Sequence, residues 1–226
     1  MYSVAVHGSF QEYLKKFSSK ARQNLTRSVR KFSDRQESQA AYEVYTEPHQ
    51  MAVFYAEASA ISRQTYQARL LKAGFPENES FITEMCDLAS RGMARGYLLR
   101  DRGKAIAFAW CTGKGTCLTY NTIGYLPSEA SQSPGTILLY HILDDVFSSS
   151  KFSVIDFGNG EAQYKSMFAT DRKEIVSVYF FRMTFRIVVL VWLHWWMFRF
   201  SDFSGHLLDR FGLKAKIKKM LRNIKS

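Results

Sequence analysis

The chain has 226 residues, 46% hydrophobic and 15% aromatic, enough to bury one substantial core; 4 prolines and 13 glycines are too few for a fibrous or disordered chain. A formal charge of +11 asks for an acidic partner, and phosphate-bearing cofactors, nucleic acid and anionic lipid are the usual classes. Cys86, Cys111 and Cys117 are odd in number and lack metal-ligand or C-x-x-C spacing, which argues for reduced thiols and against a disulfide or a metal site.

Met1 to Gly8 has no basic stretch followed by an apolar one, so no cleaved secretory signal is expected and the cytoplasm is the expected location. Ser9 and Glu12 have capping-box spacing, and Phe10, Tyr13, Leu14, Phe17, Ala21, Leu25, Val29 and Phe32 follow at helical spacing, predicting one helix with one apolar stripe. Its other face carries Lys15, Lys16, Lys20, Arg22, Arg27, Arg30 and Lys31, which suits a solvated face or a phosphate-binding strip. A short strand is predicted over Tyr42–Tyr45, a helix from Met51 to Lys72 and another from Ser80 to Arg91. Tyr97–Arg100, Ala105–Thr112 and Thr116–Thr122 then read as an antiparallel meander joined by glycine-bearing turns. Ser133-Pro134-Gly135 introduces a helix over Thr136–Phe147, Phe152–Phe157 reads as a strand ending in Gly158-Asn159-Gly160, and a short helical stretch holds Tyr164 and Lys165. Glu174–Phe181 reads as a further strand.

Ile187–Phe198 is almost wholly apolar but only about a dozen residues long, against the ~20 a bilayer crossing needs. It suits a helix docked on the domain or on a second copy, as in a homodimer, and equally a helix lying in a membrane surface. The last residues place Leu213, Ile217, Met220, Leu221 and Ile224 on one helical face among Lys214, Lys216, Lys218, Lys219 and Arg222, a pattern that suits adsorption to anionic lipid or a solvated terminal helix.

The sequence has no G-x-S-x-G, H-E-x-x-H, G-x-x-x-x-G-K-[ST] or G-x-G-x-x-G before a helix, so hydrolase, zincin and nucleotide-loop chemistry lose support. Five scattered histidines lack metal-ligand spacing; His141 alone stands on the helix that opens at Ser133. The informative pair is the helix start Ser133-Pro134-Gly135-Thr136 and the strand end Asp156-Phe157-Gly158-Asn159-Gly160. Free amides at a helix start attract phosphate, and glycine lets a ligand approach the backbone, so both suit a pyrophosphate-bearing donor; an ordinary strand-to-helix turn has the same sequence.

Ser18-Ser19-Lys20-Ala21-Arg22-Gln23-Asn24-Leu25 on a basic helix, then a meander with Gly103-Lys104-Ala105-Ile106-Ala107, then Ser-Pro-Gly and Asp156-Phe157-Gly158-Asn159-Gly160-Glu161-Ala162-Gln163-Tyr164-Lys165, resembles the FemAB-like acetyltransferase branch of the GNAT superfamily over roughly Phe10 to Phe168. The resemblance implies an α/β fold with a mixed, mostly antiparallel twisted sheet flanked by helices, and a GNAT-like acyltransferase domain over 1–182 followed by a helical extension over 183–226. It implies acyl-CoA, acetyl-CoA included, as donor near Ser133, Gly135, Thr136, Gly158 and Gly160, and an amine or hydroxyl acceptor. On the matched positions Asp156 is the candidate to orient or deprotonate the acceptor, Glu161 a second base, Tyr164 a proton donor and Lys165 a phosphate ligand. An aminoacyl-tRNA donor, with the basic first helix on RNA, is the alternative within the same branch, and a catalytically idle adaptor that binds membrane or a partner is the alternative outside it.

Overall fold

The structure, a computed structural model, describes residues 1–35, 42–65, 74–176, 178, 180, 182 and 184–210, with side chains as far as 201. In chain order the elements are β1 (Tyr2–Ala5), α1 (Phe10–Leu14), α2 (Ser19–Ser33), β2 (Tyr42–Tyr45), α3 (Met51–Ser62), α4 (Glu79–Ser90), β3 (Ala94–Asp101), β4 (Lys104–Lys114), β5 (Cys117–Tyr125), α5 (Pro134–Ser149), β6 (Val154–Asp156), α6 (Gln163–Phe168), β7 (Asp171–Arg172) and α7 (Phe185–Arg210). Contacts divide the chain into two compact units, Met1–Ile175 and Val176–Ser226.

The meander becomes the centre of a seven-stranded sheet in the order β2-β3-β4-β5-β6-β1-β7. Every pairing in it is antiparallel except that of β5 with β6. Side chains alternate across a strand, so β3 and β4 present two different surfaces. Even-numbered positions face α3: Phe54 is fully buried against Trp110, and a Cβ on Gly96 would lie 2.8 Å from the Phe54 ring. Odd-numbered positions face α5, where Tyr97 donates a hydrogen bond of 2.7 Å to the Asp145 carboxylate and Arg95 forms an ion pair with the same oxygen. Arg95 also lies 5.6 Å from the centre of the Phe152 ring, so the strand, the helix and the segment leaving the helix are tied at one place.

Three expectations are corrected. The long first helix is two: the Ser9–Glu12 capping box opens α1, but Ser18 caps a new helix by accepting from the Ala21 amide, and the chain turns between them with Phe17 still buried. Serine competes for backbone donors and so can restart a helix within an unbroken apolar stripe. The strand expected over Glu174–Phe181 is absent among its described residues; β7 is two residues long and lies earlier, and its ladder with β1 closes where Lys173 donates to the Met1 carbonyl. Ile175, Val176, Val178 and Phe180 are exposed. β1, too short to stand out in the sequence, is an interior strand between β6 and β7. The helix predicted from Met51 to Lys72 ends at Ser62, the chain turns over residues 63–65, and residues 66–72 of that expectation lie outside the described residues.

Asp145 is the joint between sheet and helix. Replacing it (Asp145→Ala) strands the Arg95 guanidinium, whose side chain is 12% exposed, and the Tyr97 hydroxyl together. We expect a loss of about 3 kcal/mol in urea unfolding, with Asp145→Asn recovering part of it through the tyrosine bond.

Candidate functional site

Parallel pairing of β5 with β6 is brief. It joins Cys117 to Val154, Leu118 to Ile155 and Thr119 to Asp156, whereas β5 itself continues to Tyr125 on its bond to β4. The register of β4 and β5 shifts beside this point, between Trp110 and Cys111, so that Asn121 is the extra residue of a bulge. A bulge increases local twist and bends its strand. From Tyr120 onward the two strands part, and the edge of β5 facing β6 has no strand partner among the described residues.

A cavity of about 590 Å³ lies at this splay. Its walls come from Thr65 after α3, Phe108 on β4, Tyr120, Ile123, Gly124 and Tyr125 on β5, Pro127, Ala130 and Ser133 before α5, the start of α5 as far as Leu138, and Tyr164 on α6. Gly124 is required here by close approach, because a Cβ would meet the Phe108 ring at 2.5 Å. No lining side chain among the described residues is a carboxylate, ammonium, guanidinium or imidazole.

Of the residues singled out in the sequence, Ser133, Gly135, Thr136 and Tyr164 line the cavity. Ser133 takes a left-handed conformation, φ 54° and ψ 48°, and starts α5 without a side-chain cap. Pro134 has no N–H, and the amides of Thr136 and Ile137 turn back on the Ser133 carbonyl at 3.0 and 3.2 Å. Gly135 is therefore the first-turn amide best placed to face a ligand, whereas the Thr136 amide, expected as a donor, is drawn into the turn.

Asp156, Gly158, Gly160, Glu161 and Lys165 do not line the cavity. Asp156 Oδ1 accepts from the Gly158 amide at 2.7 Å, closing the turn for which Gly158 adopts φ +70°. Lys165 is buried, and its Nζ donates to the Asn159 carbonyl at 2.6 Å. Burial lowers the pKa of that ammonium and the nearby Asp156 charge opposes the shift. Glu161 is exposed and pairs with Arg172 at 2.9 Å. Together Asp156 and Lys165 build the loop from which α6 presents Tyr164.

The other end of α6 is held by α1 and the turn that follows it. Tyr13 donates to the Phe168 carbonyl at 2.6 Å, and Lys16 donates to the Met167 carbonyl at 3.2 Å and to that of Ala169. Its burial brings the Lys16 pKa down to about 8, yet at neutral pH the cation still meets the carbonyls that end the helix. Tyr164 packs edge-on to Tyr120 and Phe157, with ring centres 6.3 and 6.0 Å away, and burial raises its pKa, so the phenol stays protonated across the neutral range. Cys111 is fully buried, its thiol pushed up in pKa by desolvation, and burial also raises Cys117. Neither suits a thiolate nucleophile. Among the described residues no group of three or more His, Cys, Asp or Glu is placed to hold a metal ion.

A family model described as an acetyltransferase (GNAT) domain matches residues 19–166. The chain belongs to the GNAT acetyltransferase family. The seven-stranded mixed sheet between helices is the GNAT-like fold that the motif order implied. FemX, at 10% identity and TM-score 0.49, covers 72% of this GNAT chain and 53% of its own. The C-terminal domain of a protein described as a lysylphosphatidylglycerol synthetase of Agrobacterium fabrum, at 17% identity and TM-score 0.47, covers 70% and 45%. The ribosomal-protein-S18-alanine N-acetyltransferase of Escherichia coli, at 20% identity and TM-score 0.34, covers 46% and 59%. This chain thus spans about half the length of these solved proteins. No curated protein matches its sequence. Family membership makes this a GNAT acetyltransferase domain.

Sequence reasoning missed Thr65, Phe108, Ile123 and Gly124 as cavity walls. Only Gly124 carried a signal, since a glycine inside a strand marks a bulge or a close approach. His141, kept as a candidate, stacks on Tyr42 with ring centres 4.4 Å apart and does not reach the cavity. Burial lowers its pKa to about 4, and its Nε2 is buried without a hydrogen-bond partner. A folded-state pKa below the unfolded one means that the unfolded chain takes up the proton first, so stability falls as pH drops from about 6.5 towards 4. His141→Phe should remove up to about 3 kcal/mol of that acid sensitivity, read as flatter urea midpoints across this range. An unchanged slope would assign the sensitivity to other groups.

Proposed function

We propose that this GNAT domain transfers an acyl group from acyl-CoA to a primary amine, with the donor in the splay between β5 and β6. The observation that carries the reading is the cavity itself, opened by the parted strands and walled by the α5 start on one side and Tyr164 on the other. The unpaired edge of β5 offers backbone groups to the amide-bearing arm of the donor, as an added strand would meet them. The pyrophosphate lies towards Gly135 at the start of α5, where the free amide and helix dipole favour negative charge.

The chemistry follows from what the walls lack. With no carboxylate or imidazole among the described wall residues, the acceptor enters as the uncharged amine, having lost its proton to water. Its lone pair attacks the thioester carbonyl, forming the C–N bond, and backbone N–H groups of β5 stabilise the oxyanion. Collapse breaks the C–S bond. Tyr164 gives its phenolic proton to the departing thiolate and regains one from the nitrogen through water, so amide and thiol are the net products. Asp156 and Lys165 act as positioning residues through the loop that bears α6.

Tyr164→Phe should lower kcat about 100-fold with the acyl-CoA KM nearly unchanged, whereas Tyr125→Phe, on the same cavity wall, should stay within a few-fold of the parent. An undiminished kcat in Tyr164→Phe contradicts the proton role, and the absence of saturable binding by acetyl-CoA or longer acyl-CoAs contradicts the donor.

One observation favours a second reading. Arg27 and Arg30 border a surface groove with Gln23 and Thr26 on the exposed face of α2, a basic strip suited to the phosphates of an aminoacyl-tRNA donor. That version requires charged tRNA to be retained at low salt and released steeply as salt rises.

A further inference from the structure

The apolar residues of α7 do not form a stripe. From Ile187 to Phe198 the only polar side chain is His194, and every residue from Val188 to Phe200 is exposed, Leu190 by 67% and Met197 by 70%. Successive residues turn by about 100° on a helix, so such a run clothes the whole circumference. Pairing with one other helix covers a single seam. Lipid covers all sides.

The run is about 18 Å long, well short of a ~30 Å hydrocarbon core, and no helix among the described residues is long and apolar enough to cross a membrane. Its thickness of about 10–12 Å does fit within one leaflet. A helix bonds its own backbone groups and can be immersed without stranding them. Arg186 and Arg199 bound the run, and their long stems reach from hydrocarbon to headgroups. Arg199 lies 5.3 Å from the centre of the Trp195 ring, and Trp192 and Trp196 are neighbours at 5.9 Å, side chains suited to the water–lipid boundary. After the helix the sequence supplies Lys214, Lys216, Lys218, Lys219 and Arg222 in a chain of net charge +11. That charge complements an anionic leaflet.

We propose that the Ile187–Phe198 run makes α7 a monotopic membrane helix, this run immersed in one leaflet of an anionic bilayer without crossing it. A shallow amphipathic helix needs a polar face, which this run lacks. Three of the four tryptophans lie on α7 and the fourth, Trp110, is buried in the sheet at 3% exposure, so lipid-dependent fluorescence reports on this helix.

The test uses the full chain with vesicles of phosphatidylcholine alone or mixed with phosphatidylglycerol. Flotation with the anionic vesicles is expected, with strong quenching of tryptophan by lipids brominated partway down the acyl chain, both surviving a high-salt wash. A full-length variant carrying Leu190→Lys, Leu193→Lys and Phe198→Lys should partition at least about tenfold more weakly, with its thermal unfolding unchanged. Absence of flotation overturns the proposal. So does flotation that salt abolishes and bromines do not sense, which would mean adsorption by the basic tail alone. Concentration-dependent dimers lost in the same variant, without lipid binding, would give the surface to a second copy of the chain.

Discussion

The site rests on where two parallel strands stop pairing. β6 is only three residues long and is spent on Cys117, Leu118 and Thr119, so the rest of β5 leaves the ladder on that side while β4 holds it on the other. An unpaired strand edge inside a fold normally costs hydrogen bonds, which is why edges are covered or bent away. Here the bulge at Asn121 adds the bend, and the room gained becomes a cavity instead of a packing fault.

Both walls of that cavity are fixed from outside it. Asp145 fastens α5 to β3 through Arg95 and Tyr97, which sets the height at which Ser133 and Gly135 meet the free end of β5. On the opposite wall, Tyr13 and Lys16 hold the last carbonyls of α6 while the Asp156–Gly158 turn and the buried Lys165 fix its beginning. Tyr164 is thus held from two directions by residues that do not line the cavity. Such support from residues behind a cavity-lining side chain fixes where that side chain stands.

The sequence made the architecture legible wherever periodicity was strong. The β2 strand, the meander and the helix after Ser133 lie close to where alternation and capping put them. Two-residue β7 and the four-residue β1 were hidden because their pairing is decided by distant partners, Ser3 by Asp156 and Asp171. The site was half legible. Gly135 and Tyr164, marked by a helix start and a motif, line the cavity; Asp156 and Lys165, marked by the same motif, stand outside it, with Asp156 Oδ1 on the Gly158 amide and Lys165 Nζ on the Asn159 carbonyl. Spacing alone does not distinguish a carboxylate that closes a turn from one that takes a proton, because both stand at a strand end beside glycine. Phe108 and Gly124 became visible only once β4 and β5 were in register.

The central claim is that the parted edge of β5 receives the donor. A crystal structure with a non-hydrolysable acyl-CoA analogue tests it most directly. The account predicts the amide arm alongside Tyr120–Tyr125, the phosphates towards Gly135 and the sulfur within hydrogen-bonding reach of the Tyr164 hydroxyl. An analogue bound elsewhere on the domain, with the splay empty, would contradict it.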